Sequence, residues 1–201
     1  MGGLTVAESA PVARKLRADA SRNRARILEI AESVFAREGV EGSMDAIAKE
    51  AGVGPGTLYR HFPTRDALLA ELLSTRDHAL RASLDAIEAQ GGDSAEALEG
   101  WLAAVSEWAS AFEGLPEPLR EALKEETSPL ALTCGGLIDT TESFLASAQR
   151  DGLAREDVGG RELFLSVLAS VWISSARLAD SSSAPALRSL IKSGWAAEHA
   201  R

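Results

Sequence analysis

Cysteine, tyrosine, methionine and histidine are nearly absent: one, one, two and three residues respectively in 201. A single thiol, Cys134, excludes an internal disulfide and leaves no spaced partner for a zinc site. His61, His78 and His199 are scattered, and no Glu-x-x-His pair of the kind that builds helical carboxylate metal sites occurs. The residues therefore give no support to an enzyme, and no cofactor is expected. Long apolar runs are also missing, since none approaches the roughly 18 residues that would mark a membrane span. The start, Met1-Gly2-Gly3-Leu4-Thr5-Val6, lacks the basic-then-apolar order of a secretory signal, and Val6 stands where a myristoylation pattern wants Ser or Thr. These absences predict a cytoplasmic protein with no membrane partner. Alternation at period two is lacking throughout, so no strand is expected.

Charge of one sign is scarce only in part of the chain. The formal net charge is −9, which at first argues against a partner as acidic as nucleic acid. Residues 1–80, however, carry 11 Lys and Arg against 11 Asp and Glu, whereas residues 81–201 carry 10 against 19. The excess acid lies wholly in the second part. Arg14, Lys15, Arg17, Arg22, Arg24 and Arg26 meet only Asp19 as an opposing charge, so the segment leading into the first helix is locally basic. It reads equally as a solvated tail or as a DNA-contacting arm.

What is present is helical periodicity. Residues 1 to about 20 show no apolar period and read as a flexible arm. From Arg22, the positions Ile27, Ala31, Val34 and Phe35 recur at helical spacing, and Gly39 supplies a stop. Ser43 caps a second, short helix with Ile47, Ala48 and Ala51 on one face and Gly52 at its end. Pro55 opens a third short helix, to about His61, where a missing N–H costs nothing. Pro63 ends it and Thr64 caps a fourth. The apolar stripe Leu69, Leu72, Leu73, Leu80, Leu84 and Ile87 predicts that this helix runs unbroken to Gly91-Gly92. Further helices are expected over about 94–113, 115–126, 129–151, 160–181 and 185–199, with Asp93 and Glu96 forming a capping box. Gly135-Gly136 predicts a kink or a close helix contact. The fold class is thus all-α.

Two short helices joined by a tight glycine turn and braced by helices on either side make a helix-turn-helix between Ser43 and Phe62. A recognition helix must lie in a groove about 12 Å wide, so its first turn needs small residues. Gly54-Pro55-Gly56-Thr57 provides them, with Tyr59 and His61 placed to reach the sugar-phosphate backbone and Leu58 and Phe62 turned inward. The string from Ile27 to Leu72 resembles the TetR (tetracycline repressor-like) regulators. It carries Ile27-Leu28 with Ala31, Phe35 and Gly39, then Ile47-Ala48-Lys49-Glu50-Ala51-Gly52-Val53-Gly54-Pro55-Gly56-Thr57-Leu58-Tyr59-Arg60-His61-Phe62-Pro63-Thr64-Arg65. Further on, Ala148-Gln149, Gly152, Arg155, Asp157 and Val158 look like the link before the first dimerisation helix of such proteins.

The resemblance implies a homodimer, with an N-terminal three-helix domain (21–63) on double-stranded operator DNA and a C-terminal bundle (64–201) that binds an effector and dimerises. By position in the motif it places Ser43, Met44, Gly54, Pro55, Gly56, Thr57, Tyr59, Arg60, His61 and Arg65 at the DNA. Each has a plainer alternative: Ser43 as only a cap, Pro55 as only a helix start, Tyr59 as cover for the core edge. Asp45 reads as structural, since it favours the helix dipole and would repel phosphate.

Trp101, Val105, Trp108 and Phe112 form one stripe at i, i+4, i+7 and i+11. Aromatic stripes are mostly core. The resemblance puts a cavity in this bundle, however, so the stripe is also a candidate lining for a largely apolar small molecule, together with Phe144, Leu168 and Trp172. Cys134 and Thr141, with Thr133 and Thr140, are candidate polar contacts. Phe164, Val171, Leu187, Leu190, Ile191 and Trp195 supply more apolar surface on the last two helices than one bundle needs, which predicts a symmetric dimer there. The function expected is a ligand-responsive regulator, most simply a repressor released by its effector. The alternative is a DNA-binding regulator that answers to a protein partner instead of a small molecule.

Overall fold

The first periodic stripe forms as expected. In the computed structural model, which describes residues 9–125, 127–176 and 183–197, Ile27, Ala31, Val34 and Phe35 are fully buried along one face of helix α1 (Ser9–Glu38). That helix begins at Ser9, not near Arg22. The stretch of 9–20 without an apolar period is still made of good helix formers such as Ala, Arg, Lys and Leu, and its Pro11 falls in the first turn, where proline is tolerated. Part of the expected arm is therefore helical, and residues 1–8 lie outside the described residues.

Helix α1 stops at Gly39, whose φ of +73° needs glycine and whose N–H donates to the Phe35 carbonyl at 2.9 Å. Ser43 then caps α2 (Met44–Glu50), accepting from the Ala46 N–H at 3.3 Å. Gly54 and Pro55 open α3 (Pro55–His61), and Thr64 caps α4 (Arg65–Thr75), accepting from the Ala67 N–H at 3.0 Å.

The expected long fourth helix is two helices. It breaks at Arg76, and α5 runs Asp77–Gln90 to a left-handed Gly91. At the break the Arg76 N–H tightens onto the Leu73 carbonyl at 2.9 Å, with Ser74 Oγ donating to the Glu71 carbonyl at 2.7 Å and Thr75 Oγ1 to the Leu72 carbonyl at 2.6 Å. Such back-bonding competes with the helix ladder and bends it.

The rest of the bundle comprises α6 (Ser94–Ala109), α7 (Pro116–Ala122), α8 (Pro129–Arg150), α9 (Gly160–Ser175) and α10 (Ser183–Trp195). The Asp93–Glu96 capping box is present in full. Helix α8 is the hub, packing on α4, α6, α7 and α9. Gly135 and Gly136 sit in open space within uninterrupted α8, so the close contact expected there does not occur. It occurs instead at Gly160, where a Cβ would stand 2.7 Å from the Glu142 backbone nitrogen. One apolar cluster runs from Ile27 to Trp195, so the helix-turn-helix and the bundle share a core.

Candidate nucleic-acid interface and effector groove

The exposed edge of the helix-turn-helix is the N-terminal turn of α3. Gly54, Pro55 and Gly56 are exposed, a Cβ on either glycine would meet nothing within 4 Å, and Thr57 is half-buried behind them. Leu58 is fully buried, whereas Tyr59, one residue on, is 45% exposed. The 100° step of the helix thus separates an anchoring side from an outward one. Arg60 is exposed, His61 half-buried and Ser43 exposed with its hydroxyl on the cap. Arg26, Lys49 and Arg60 carry no ion pair among the described residues, which leaves their charge available to an anionic partner.

Two residues assigned to DNA by position face inward instead. Met44 is 8% exposed and packs with Ile47 and Ala48 of the buried side of α2, so its side chain belongs to the core. Arg65 donates from one guanidinium nitrogen to the carbonyls of Val40 and, at 2.6 Å, Gly42, and its guanidinium carbon lies 5.9 Å from the Phe35 ring centre. It holds the α1–α2 loop against α4. Loop carbonyls have no helix ladder to pair them, and a fixed cation in this position satisfies them.

Other contacts lock the three N-terminal helices to the bundle. Arg24 pairs with Glu71 at 2.7 Å and covers the Phe62 ring at 5.2 Å. That pairing holds the Glu71 carboxyl below, and the Arg24 guanidinium above, its usual range. A second lock involves the turn after α6. The Val40 N–H donates to the Glu113 carbonyl at 2.9 Å, Phe35 meets Phe112 edge-on at 6.1 Å, and Arg76 lies 5.0 Å over the Phe112 ring while pairing with Glu32 at 3.2 Å. Nothing in the apolar pattern had pointed to Phe112 and Glu113 as a docking turn. The only signal in the sequence was the glycines beside this contact, Gly39 against Glu113 and Gly114 against Val40, both at positive φ.

The aromatic stripe of α6 is core. Trp101 is 2% exposed, stacks on Phe144 at 5.7 Å, and donates its indole N–H to Thr141 Oγ1 at 2.9 Å. Thr141 in turn donates to the Leu137 carbonyl at 2.8 Å. Val105, Trp108, Cys134 and Thr141 are buried and border none of the clefts beside α7, between α7 and α9, or between α5, α6 and α8, and burial pushes the Cys134 thiol up to about 11. Phe112 touches a shallow cleft beside α7, and Leu168 and Trp172 border a cleft of about 410 Å³ between α7 and α9. A groove of about 490 Å³ opens between α5, α6 and α8. Trp101, Leu80, Leu84 and Leu137 line it, Arg81 and Thr133 stand on it, and Ser74 places it against the α4–α5 joint. Of the residues proposed to line an effector cavity, Trp101, Thr133 and Thr140 border this groove and the others do not, while Arg81, Leu84 and Gly136 were not among those proposed.

Of the residues expected at a dimer face, Phe164, Val171 and Trp195 are buried within the single chain. Leu187 and Ile191 are half-buried, and Leu190 is 69% exposed. Trp172 at 45% and Leu165 at 36% are the exposed large apolar side chains of α9. The link before α9 is ordered by Gln149, whose amide donates to the carbonyls of Arg155 at 2.8 Å and Val158 at 3.0 Å.

A helix-turn-helix presenting a glycine-proline turn, fused through one core to a larger helical bundle, defines a DNA-binding regulator. Comparison with known proteins gives the family. Residues 27–72 match the bacterial regulatory proteins of the tetR family, and residues 93–196 match the C-terminal domain of SbtR-like transcriptional regulators. The chain belongs to the TetR family of transcriptional regulators, which are DNA-binding proteins and not enzymes. An HTH-type transcriptional regulator of Staphylococcus aureus (strain USA300) is 57% identical over 54 residues, 26% of this chain. That stretch is only 29% of the relative's length. A TetR regulator of Streptomyces coelicolor aligns at 29% identity and a TM-score of 0.55, covering 87% of this chain and 99% of that one. RolR, crystallised with resorcinol, shares the fold at a TM-score of 0.65 and 19% identity, over 92% of each chain. No helix among the described residues is long and apolar enough to cross a membrane.

Proposed function

We propose that this regulator is a repressor that binds a palindromic operator as a homodimer and lets go when a small molecule enters the groove between α5, α6 and α8. One observation carries the reading: the groove borders Ser74, at the joint where α4 hands over to α5, and α4 is the helix that Arg65 and the Arg24–Glu71 pair fasten to the DNA-binding helices. A body wedged there acts on the same joint that sets the pose of α3. The two recognition helices of a dimer must meet major-groove faces roughly 34–36 Å apart, so a small change of pose is costly for DNA binding. RolR, which shares this fold, was crystallised in complex with its ligand resorcinol, which supports a small-molecule site. The exposed Leu165, Trp172 and Leu190 on α9 and α10 support a dimer formed through those helices. Direct DNA contact is assigned to Gly54, Pro55, Gly56, Thr57, Tyr59, Arg60 and His61, with Ser43 at the start of α2.

The test selects an operator from a random duplex library with the purified protein, then follows its release in a screen of small molecules by fluorescence anisotropy. A palindromic site and release by a compound that Gly136→Trp no longer answers to are expected. An asymmetric site, or release unaffected by that substitution, would overturn the reading.

A further inference from the structure

The groove at the α4–α5 joint has a chemical bias that narrows what it can hold. Among the described residues its lining contains one charged side chain, Arg81, and no carboxylate. This stands out in the acidic part of the molecule, where Arg120, Lys124, Arg155 and Lys192 each meet an Asp or Glu. Arg81 has no ion pair among the described residues.

The remaining polar groups point the same way. Trp101, 2% exposed, spends its indole N–H on Thr141, so it brings the groove no donor. Thr140 donates its hydroxyl to the Gly136 carbonyl and Ser74 to the Glu71 carbonyl. The Thr133 hydroxyl has no partner among the described residues, and together with Arg81 it leaves the groove with uncommitted donors. Around them the surface is apolar: Leu80, Leu84 and Trp101 inside, and Leu132 at the rim, 80% exposed. A volume of about 490 Å³ suits a body of one to three rings.

We propose that the groove takes an amphipathic monoanion, a carboxylate carried on an aromatic or alicyclic body, with Arg81 and Thr133 on the carboxylate and Trp101 beneath the apolar part. A planar guanidinium matches a carboxylate with two parallel hydrogen bonds, and charge-assisted bonds of this kind are about twice as strong as neutral ones. This inference rests on the effector-groove reading above and specifies its ligand.

Calorimetric titration of the full-length protein with three matched probes, 1-naphthoate, 1-naphthamide and 1-naphthylmethylamine, tests it. Naphthoate is expected to bind about tenfold tighter than the amide, and the amine most weakly. Arg81→Gln, on an exposed side chain, should bring the naphthoate-to-amide ratio close to one while leaving the amide unchanged. Gly136→Trp, built into open space, should weaken all three. An amide that binds as well as naphthoate, with both lost in Gly136→Trp, would overturn the anion selectivity and leave the groove as the effector site. Probes that do not bind, or that bind regardless of Gly136→Trp, would overturn the groove itself and the proposal with it.

Discussion

Arg65 illustrates how one residue can satisfy a motif and yet do different work. By position it belongs to the DNA surface, but its guanidinium is engaged by the carbonyls of Val40 and Gly42 and by the Phe35 ring. Arg65→Gln is therefore expected to lower stability by about 1.5–3 kcal/mol, the range for hydrogen bonds to charged groups, measured by urea unfolding at fixed protein concentration. The dependence of operator affinity on salt should keep its slope, because no phosphate contact is lost. A slope reduced by about one with stability unchanged would return Arg65 to the DNA backbone. Cys134 lends itself to a pH test. Burial raises its pKa from 9.0 to about 11, so the folded state holds the thiol proton where the unfolded state releases it. That contribution to stability is fully present below pH 9 and is lost as pH rises from 9 through 11. Cys134→Ala should remove this part of the alkaline decline, and an unaltered decline would show that other groups cause it. The same burial makes the thiol a poor nucleophile near neutral pH.

At the level of elements, the caps and stops were legible because each is a local chemical fact. Ser43, Thr64, Asp93 with Glu96, Pro55 and Gly39 act where their side chains or their freedom at positive φ dictate. Three features were not legible. The break at Arg76 depends on whether Ser74 and Thr75 turn their hydroxyls onto the preceding turn, a choice that the apolar stripe does not record. The start of α1 at Ser9 lies in a stretch with propensity but no period. Helices α9 and α10 are apolar enough for two partners, and only packing reveals that Phe164, Val171 and Trp195 are spent inside the chain. The glycines allow a paired test. Gly160 lets α9 approach α8, and its N–H donates to Glu142 at 2.6 Å, so Gly160→Val forces the helices apart and should cost about 1–3 kcal/mol. Gly136→Ala, in open space within α8, should instead stabilise by up to about 1 kcal/mol. Equal effects of the two in urea unfolding would mean that the α8–α9 crossing is not tight at Gly160.

Across the whole molecule, two contacts join groove and DNA surface, and they differ in what they can transmit. Helix α4 passes from the groove edge at Ser74 to the grip of Arg65 on the α1–α2 loop. Helix α6 leads from Trp101 in the groove to the turn after it, where Phe112 meets Phe35 of α1 and the Glu113 carbonyl holds Val40 of the same loop. Arg76 stands between the two routes, at the α4–α5 joint, over Phe112 and paired with Glu32 of α1. Both routes converge on one loop of the DNA-binding helices, so effector and operator are expected to oppose each other. Linkage then requires that operator lower effector affinity by the factor by which effector lowers operator affinity, commonly equivalent to 1–3 kcal/mol. Phe112→Leu keeps an apolar side chain of similar size but removes the ring that Phe35 and Arg76 both touch. It is expected to shrink that factor in both directions while changing effector affinity in the absence of DNA little, since Phe112 does not line the groove. The measurement is a pair of titrations on wild type and variant: operator with and without the releasing compound, and that compound with and without operator. A coupling factor preserved in Phe112→Leu would remove α6 from the path and leave α4, held by Arg65, to carry it alone.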